Sequence, residues 1–331
     1  MPDLCKEGQA KYERVVWFFE KILRHSKGQN AGKPFTLLPW QHHVMRELFG
    51  RLNPDGTRRH RVGYIELPKK QGKSTTLAGI ALYMTAFDSE PGAEVYGAAC
   101  DREQAGIIYR EAASMVRASP ALSKHLEVID SRKTIVHKKS NSFYRVLSAD
   151  AFRAEGLNIH ALLFDELHAQ RDRRLWDALR YGGAARRQPL LLSITTAGYD
   201  RKSICWEQHA YAERCVADPA VDPAFFGCIY AGPPDCGSDD SWKTEKVWRQ
   251  AEEEGKRWPN LKKVHLRRPS SRRPSSTPSC VIASMSGPRR TCGGSRLTPG
   301  QSAAARCVAI WRSVSGLRAL TWQAHTTYPP W

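Results

Sequence analysis

The sequence predicts an α/β fold, with a mostly parallel sheet flanked by helices and an irregular C-terminal tail. Three observations predict it. Short apolar runs alternate with amphipathic stretches through the first 261 residues, the pattern of a sheet covered on both faces. No internal repeat interrupts that alternation. The charge is segregated: the chain carries 51 Lys+Arg against 33 Asp+Glu, a net +18, yet residues 262–331 contain twelve bases and no acid. Residues 1–261 hold all 33 acids and are net +6.

The elements follow in order. Val15, Val16, Phe18, Phe19, Ile22 and Leu23 recur near helical spacing and predict a helix over Tyr12–Arg24, closed by Gly28 and Gly32. Phe35–Gln41 reads as a loop, with Pro39 in it, leading to a helix through Phe49. Val62–Leu67 is an apolar run of strand length, and Ser74–Thr85 a helix. Glu94–Ala99 is a second strand before a helix over Arg102–Arg117. Ala161–Phe164 and Leu190–Thr195 are bare apolar strands.

Composition excludes several classes. Apolar residues make up 41% of the chain, enough for a buried core. No uncharged apolar run reaches 18 residues, so no spanning helix is expected. The N-terminus is charged before any apolar stretch and does not read as a secretory signal. Nine cysteines, without CxxC pairs, read as reduced thiols of an intracellular protein. The spacings of Cys205, Cys215, Cys228 and Cys236 argue against a zinc site.

Three strings carry chemistry. Leu67-Pro68-Lys69-Lys70-Gln71-Gly72-Lys73-Ser74-Thr75 follows a strand and opens a helix, the setting of a phosphate-binding loop. Gly72 lets the backbone approach phosphates, and amides at the helix start face anionic oxygens. Lys73 suits the β- and γ-phosphates, and the Ser74 hydroxyl suits Mg²⁺. Leu67 stands where the usual pattern has glycine, and a basic turn ahead of a helix would use the same residues. Ala161-Leu162-Leu163-Phe164-Asp165-Glu166 ends a buried strand on two carboxylates, at the sheet edge where open α/β folds bind ligands. Asp165 is the candidate Mg²⁺ residue and Glu166 the residue that polarises an attacking water. Leu190-Leu191-Leu192-Ser193-Ile194-Thr195-Thr196-Ala197-Gly198 ends a strand in hydroxyls suited to sensing a γ-phosphate or to capping a helix.

Together these stretches resemble the large terminase subunit of tailed bacteriophages, a DNA-packaging motor built on a P-loop NTPase domain. The resemblance also rests on Phe35-Thr36-Leu37-Leu38-Pro39-Trp40-Gln41, Tyr96-Gly97-Ala98-Ala99, Arg102-Glu103-Gln104-Ala105, Gly156-Leu157-Asn158 and Asp165-Glu166-Leu167-His168-Ala169. It spans roughly residues 13–261 in family order, and the family tolerates the non-glycine first loop position. It implies ATP hydrolysis with Mg²⁺ coupled to translocation of double-stranded DNA. It further implies a small terminase subunit and a portal protein as partners, a homo-oligomeric ring, no membrane, and the cytoplasm of a bacterial host. By resemblance Gln41 contacts adenine and Lys69 and Lys73 contact the phosphates. Lys70, Gln71, Gly72, Ser74 and Thr75 complete the ATP-binding set, and Thr195 and Thr196 couple hydrolysis to motion. His168 fits packing or a polar network better than catalysis. Arg102, Arg153 and Arg187 are all candidates for an arginine finger. A helicase-like DNA translocase and a non-catalytic basic DNA-binding protein are the competing readings.

The family carries a second, nuclease domain whose metal site needs clustered carboxylates. Residues 262–331 hold none, so nuclease activity is expected to be absent, with 1–261 the ATPase domain. The tail reads as an out-of-frame remnant of the nuclease region. With the last base of each codon joined to the first two of the next, Ile282–Ser295 is compatible with RLNVWTEADVRWL and Ala319–Trp331 with LDLASTHDLSAL. The first resembles the family's linker. The second resembles the GLDLSSTxDLTAL strand that supplies the nuclease's first metal-binding aspartate.

Overall fold

The computed structural model describes residues 3–147, 156–170, 172–198 and 200–230, except for the side chain of Arg102. Residues 231–331, including the end of the expected ATPase domain and the whole expected tail, lie outside the described residues, as does Arg153.

Among the described residues, eight strands form one sheet, in the order β3-β4-β5-β2-β6-β7-β1-β8. They are β1 (Val62–Glu66), β2 (Glu94–Ala98), β3 (Leu126–Ile129), β4 (Thr134–His137), β5 (Ser142–Leu147), β6 (Ile159–Asp165), β7 (Leu190–Thr195) and β8 (Phe225–Ile229). From β5 to β8 every pairing is parallel, and β4 pairs antiparallel with both β3 and β5, so among the described strands it alone runs opposite to the rest. The expected mostly parallel, helix-covered sheet is what forms.

Alternating side chains divide the core between the two faces. On one face, Ile65, Val95 and Leu163 pack with helices α1 (Lys6–Trp17), α2 (Pro39–Met45), α3 (Lys73–Ala86), α4 (Arg102–Ala118) and the short α5 (Pro120–Ser123). On the other, Tyr64, Tyr96 and Phe164 pack with α6 (Arg174–Leu179) and α7 (Ile204–Ala217). Helix α3 is buried on almost every side, so it fixes the phosphate loop ahead of it to the centre of the domain.

Several elements depart from the sequence reading. Helix α1 begins at Lys6, before Tyr12, with the Cys5 sulfur accepting from the Gly8 amide at 3.3 Å. Its first inward residue is Gly8, whose missing side chain lets the Gly50 carbonyl approach and leaves no apolar signal. The helix then continues as a π turn over Phe18–Ile22, whose wider spacing lets the successive residues Phe18 and Phe19 both reach the core. The second helix starts at Pro39 rather than after Gln41, Pro being well suited to the first helical position. The meander β3–β5 was not legible. Its strands are four to six residues long, and its turns use Lys133 and Asn141 in the left-handed conformation instead of glycine.

Candidate functional site

The site forms where β1, β7 and β6 end together. Strand β7 lies between the other two, with Glu66 paired to Thr195 and Asp165 paired to Ile194. Segments far apart in sequence therefore present the phosphate loop, the two threonines and the two acids along one edge.

The loop leaves β1 at Leu67, whose amide donates to the Thr195 carbonyl at 3.0 Å. It turns through Lys70 at φ 65° and Gly72 at φ 80°, both left-handed. Gly72 adopts that geometry freely; Lys70 is a strained residue held at a candidate site. Helix α3 starts at Lys73, so its first free amides point back toward the loop.

Lys73 is buried, with its ammonium 3.6 Å from Glu166 Oε1 and 3.4 Å from the Pro68 carbonyl. Burial pulls its pKa down from the usual lysine value, against the attraction of Glu166 and Asp165. The Ser74 hydroxyl donates to Asp165 Oδ2 at 2.8 Å. Burial, offset in part by that hydrogen bond and reinforced by the neighbouring Glu166 charge, raises Asp165 to about 6. Asp165 Oδ1 is buried and meets no hydrogen-bond partner among the described residues, and the same holds for both amide atoms of Gln71. One carboxylate with a free buried oxygen beside a hydroxyl suits Mg²⁺, which takes one or two carboxylates and completes its shell with water and substrate phosphates. Among the described residues no group of three or more His, Cys, Asp or Glu is placed to hold a metal ion; Cys236 lies outside the described residues.

Glu166 stands at φ 52°, a second strained non-glycine residue at this edge. Burial disfavours its ionisation, but His168, Lys73 and the Thr196 backbone outweigh burial and hold the carboxyl at about 2. Its Oε2 accepts from the Thr196 hydroxyl at 3.3 Å and lies 3.1 Å from His168 Nδ1. The same Nδ1 is 3.1 Å from Thr195 Oγ1 and 3.2 Å from Thr196 Oγ1. His168 thus lies within hydrogen-bonding distance of Glu166 and of both threonines.

Gln41 is buried on the loop's flank. Its Oε1 accepts from the Leu38 amide at 2.6 Å, and its Nε2 donates to Thr76 Oγ1 at 2.6 Å. The residue braces α2 against α3 beside Gly72. Lys69 and Lys70 are exposed at the loop's rim, and Thr75 is half-buried behind it. Arg187 precedes the opposite end of β7 and donates to the Asp55 carbonyl. Six strand residues, about 20 Å, separate it from this edge, so it does not serve this chain's own site.

A family model for the terminase large subunit ATPase domain matches residues 39–214, from the first residue of α2 to within α7. The chain belongs to this family. It is similar to the terminase large subunit of Enterobacteria phage HK97, with 26% identity over 262 residues, 74% of this chain and 50% of that one. It also resembles protein YmfN of Escherichia coli K12, at 28% identity over 99 residues, 30% of this chain and 21% of that one. The crystal structure of the HK97 bacteriophage large terminase matches with a TM-score of 0.60 and 25% identity, covering 77% of this chain and 54% of that one. The chain thus spans about half the length of the HK97 relative. Among the described residues, no helix is long and apolar enough to cross a membrane.

Proposed function

We propose that this chain is the ATP-hydrolysing motor domain of a phage terminase, coupling turnover to translocation of double-stranded DNA. One observation carries the reading: Ser74 meets Asp165 at 2.8 Å and Lys73 meets Glu166 at 3.6 Å, at the tips of strands brought together by the sheet order. Loop amides and Lys73 bind the phosphates, with Lys69, Lys70, Gln71 and Thr75 around them and Gln41 toward the adenine. Ser74 and Asp165 hold Mg²⁺, which when bound offsets phosphate charge. Lys73 is shared, because the ammonium now facing Glu166 is the one a γ-phosphate would accept from. Drawing Lys73 toward phosphate leaves Glu166, kept ionised, to orient water and accept its proton. His168 carries that change to Thr195 and Thr196. The direct test is phosphate release from ATP and Mg²⁺ by the full chain beside Lys73→Ala. The reading expects turnover that the substitution abolishes, and equal rates would remove it.

The remainder of the reading concerns the whole motor. Double-stranded DNA, a small terminase subunit, a portal protein and further copies of this chain in a ring are its partners, in the cytoplasm of a bacterial host. The excess of bases in residues 1–261 favours sequence-independent contacts to DNA phosphates. Residues 1–261 are the ATPase domain and 262–331 the out-of-frame remnant, a division supported by the acid-free tail and its two shifted strings. Incubation with plasmid and Mn²⁺ tests this. The chain should leave plasmid intact, and a form with the frame restored near codon 262 should cut it; cutting by the present chain that depends on a tail residue would overturn the assignment.

A further inference from the structure

Behind the phosphate loop lies a buried ionic cluster that the proposed reaction does not use. Tyr64 and Glu66 alternate with Ile65 on β1, so both point to the face covered by α7. Glu66 Oε2 accepts from the Tyr64 hydroxyl at 2.8 Å and lies 3.0 Å from His209 Nδ1 on α7. The other imidazole nitrogen, Nε2, is 3.5 Å from Glu213 Oε1. Glu66 and His209 are only 3% and 2% exposed. Burial alone would strip the charge from His209, but Glu213 and Glu66 hold its pKa up, at about 9. Tyr64 also reaches Cys205 Sγ at 3.5 Å, and that sulfur lies 3.6 Å from where a Cβ on Gly198 would sit. Helix α7 therefore touches both the strand that launches the phosphate loop and the segment that follows Thr195 and Thr196.

A buried ion pair adds little net stability over apolar side chains of the same volume. What it does supply is one permitted register. Glu66 is the last residue of β1, and the loop begins at the next residue. Its main chain is already held on both sides, by Leu67 N to the Thr195 carbonyl and Tyr230 N to the Glu66 carbonyl at 2.9 Å. The side-chain pair fixes the remaining direction, toward α7. The geometry points to Glu66 and His209 as positioning residues that set the phosphate loop against α7, at the height where its amides and Lys73 receive the nucleotide. This inference rests on the ATPase reading above.

Three single substitutions at His209, each in the full chain, test it. Asn places its amide nitrogen where Nδ1 stands and keeps the donor to Glu66. Gln places its amide nitrogen nearer Nε2, toward Glu213. Leu fills the volume with no donor. Steady-state ATPase kinetics and thermal melting are measured for each. Positioning predicts that His209→Leu and His209→Gln raise KM for ATP roughly tenfold, the scale of one lost oriented hydrogen bond, with kcat changed less than about threefold. It also predicts that His209→Asn stays within about threefold of the wild-type KM, and that KM does not follow melting temperature across the set. Should His209→Leu not fold, the Asn and Gln variants carry the same contrast. Wild-type kinetics in the Leu or Gln variant, or KM following melting temperature alone, would overturn the inference. Absence of turnover in the wild-type chain would instead sink the ATPase reading, and this inference with it.

Discussion

Replacing Glu166 by Gln separates binding from hydrolysis. The substitution keeps size and an acceptor for the Thr196 hydroxyl, now 3.3 Å away, but removes the charge. If Glu166 accepts a proton from water, its loss should slow turnover by about 10²–10⁴, or roughly 3–5 kcal/mol of barrier. The structural effect is smaller. The carboxyl is held at about 2 instead of its usual 4.5. At about 1.4 kcal/mol per pKa unit the folded state would lose at most about 3 kcal/mol. With the side chain 28% exposed and the amide keeping a hydrogen bond, about 1–2 kcal/mol is expected. That contribution is complete above pH 4.5 and disappears as pH falls through about 2, so it is fully present at neutral pH. Phosphate release and binding of a fluorescent ATP analogue, both at pH 7.5, separate the two effects. The expected result is near-wild-type binding with hydrolysis lost. Turnover within tenfold of wild type, or loss of binding as well, would refute the role given to Glu166.

Two further predictions follow. Asp165, raised to about 6 by burial, should bind Mg²⁺ progressively less well below about pH 6. Without metal its ionisation in the folded chain destabilises as pH rises from 3.8 through about 6, so Asp165→Asn should remove that part of the pH dependence in melting curves taken with and without Mg²⁺. On the other edge, buried Asp88 accepts from Arg58 at 2.8 Å and pairs with His160 at 2.8 Å. Asp88→Asn should destabilise the domain by about 3–5 kcal/mol in urea unfolding, because it leaves Arg58 buried without a counter-charge; a loss below about 1 kcal/mol would show that the triad is dispensable.

The site was legible where chemistry is written in neighbouring residues. A phosphate loop needs glycine, lysine and a hydroxyl in sequence, and a strand ending in Asp165 and Glu166 shows its acids directly. Spatial order was not legible in the same way. Strand β7 follows β6 in sequence but lies between β6 and β1, and only pairing geometry places Thr195 beside the loop. Helix α7 escaped because its inward positions include Cys205, His209 and Cys215 beside Ile204 and Ala212, so a polar histidine and two cysteines break the apolar stripe. Their purpose shows only when Glu66, far away in sequence, is seen against them. Strand β8 was hidden by Gly227 at its centre, and the meander by turns without glycine. Gln41 was found by resemblance, but its grip on Thr76 appears only in the folded chain.

The most direct measurement is a crystal structure of the full chain with a non-hydrolysable ATP analogue and Mn²⁺ standing in for Mg²⁺. The account predicts phosphate oxygens against the loop amides around Gly72, and the Lys73 ammonium drawn from Glu166 toward the γ-phosphate. It also predicts that Ser74 and Asp165 would be the side chains holding the metal. Nucleotide bound elsewhere, or metal bound away from both residues, would contradict it.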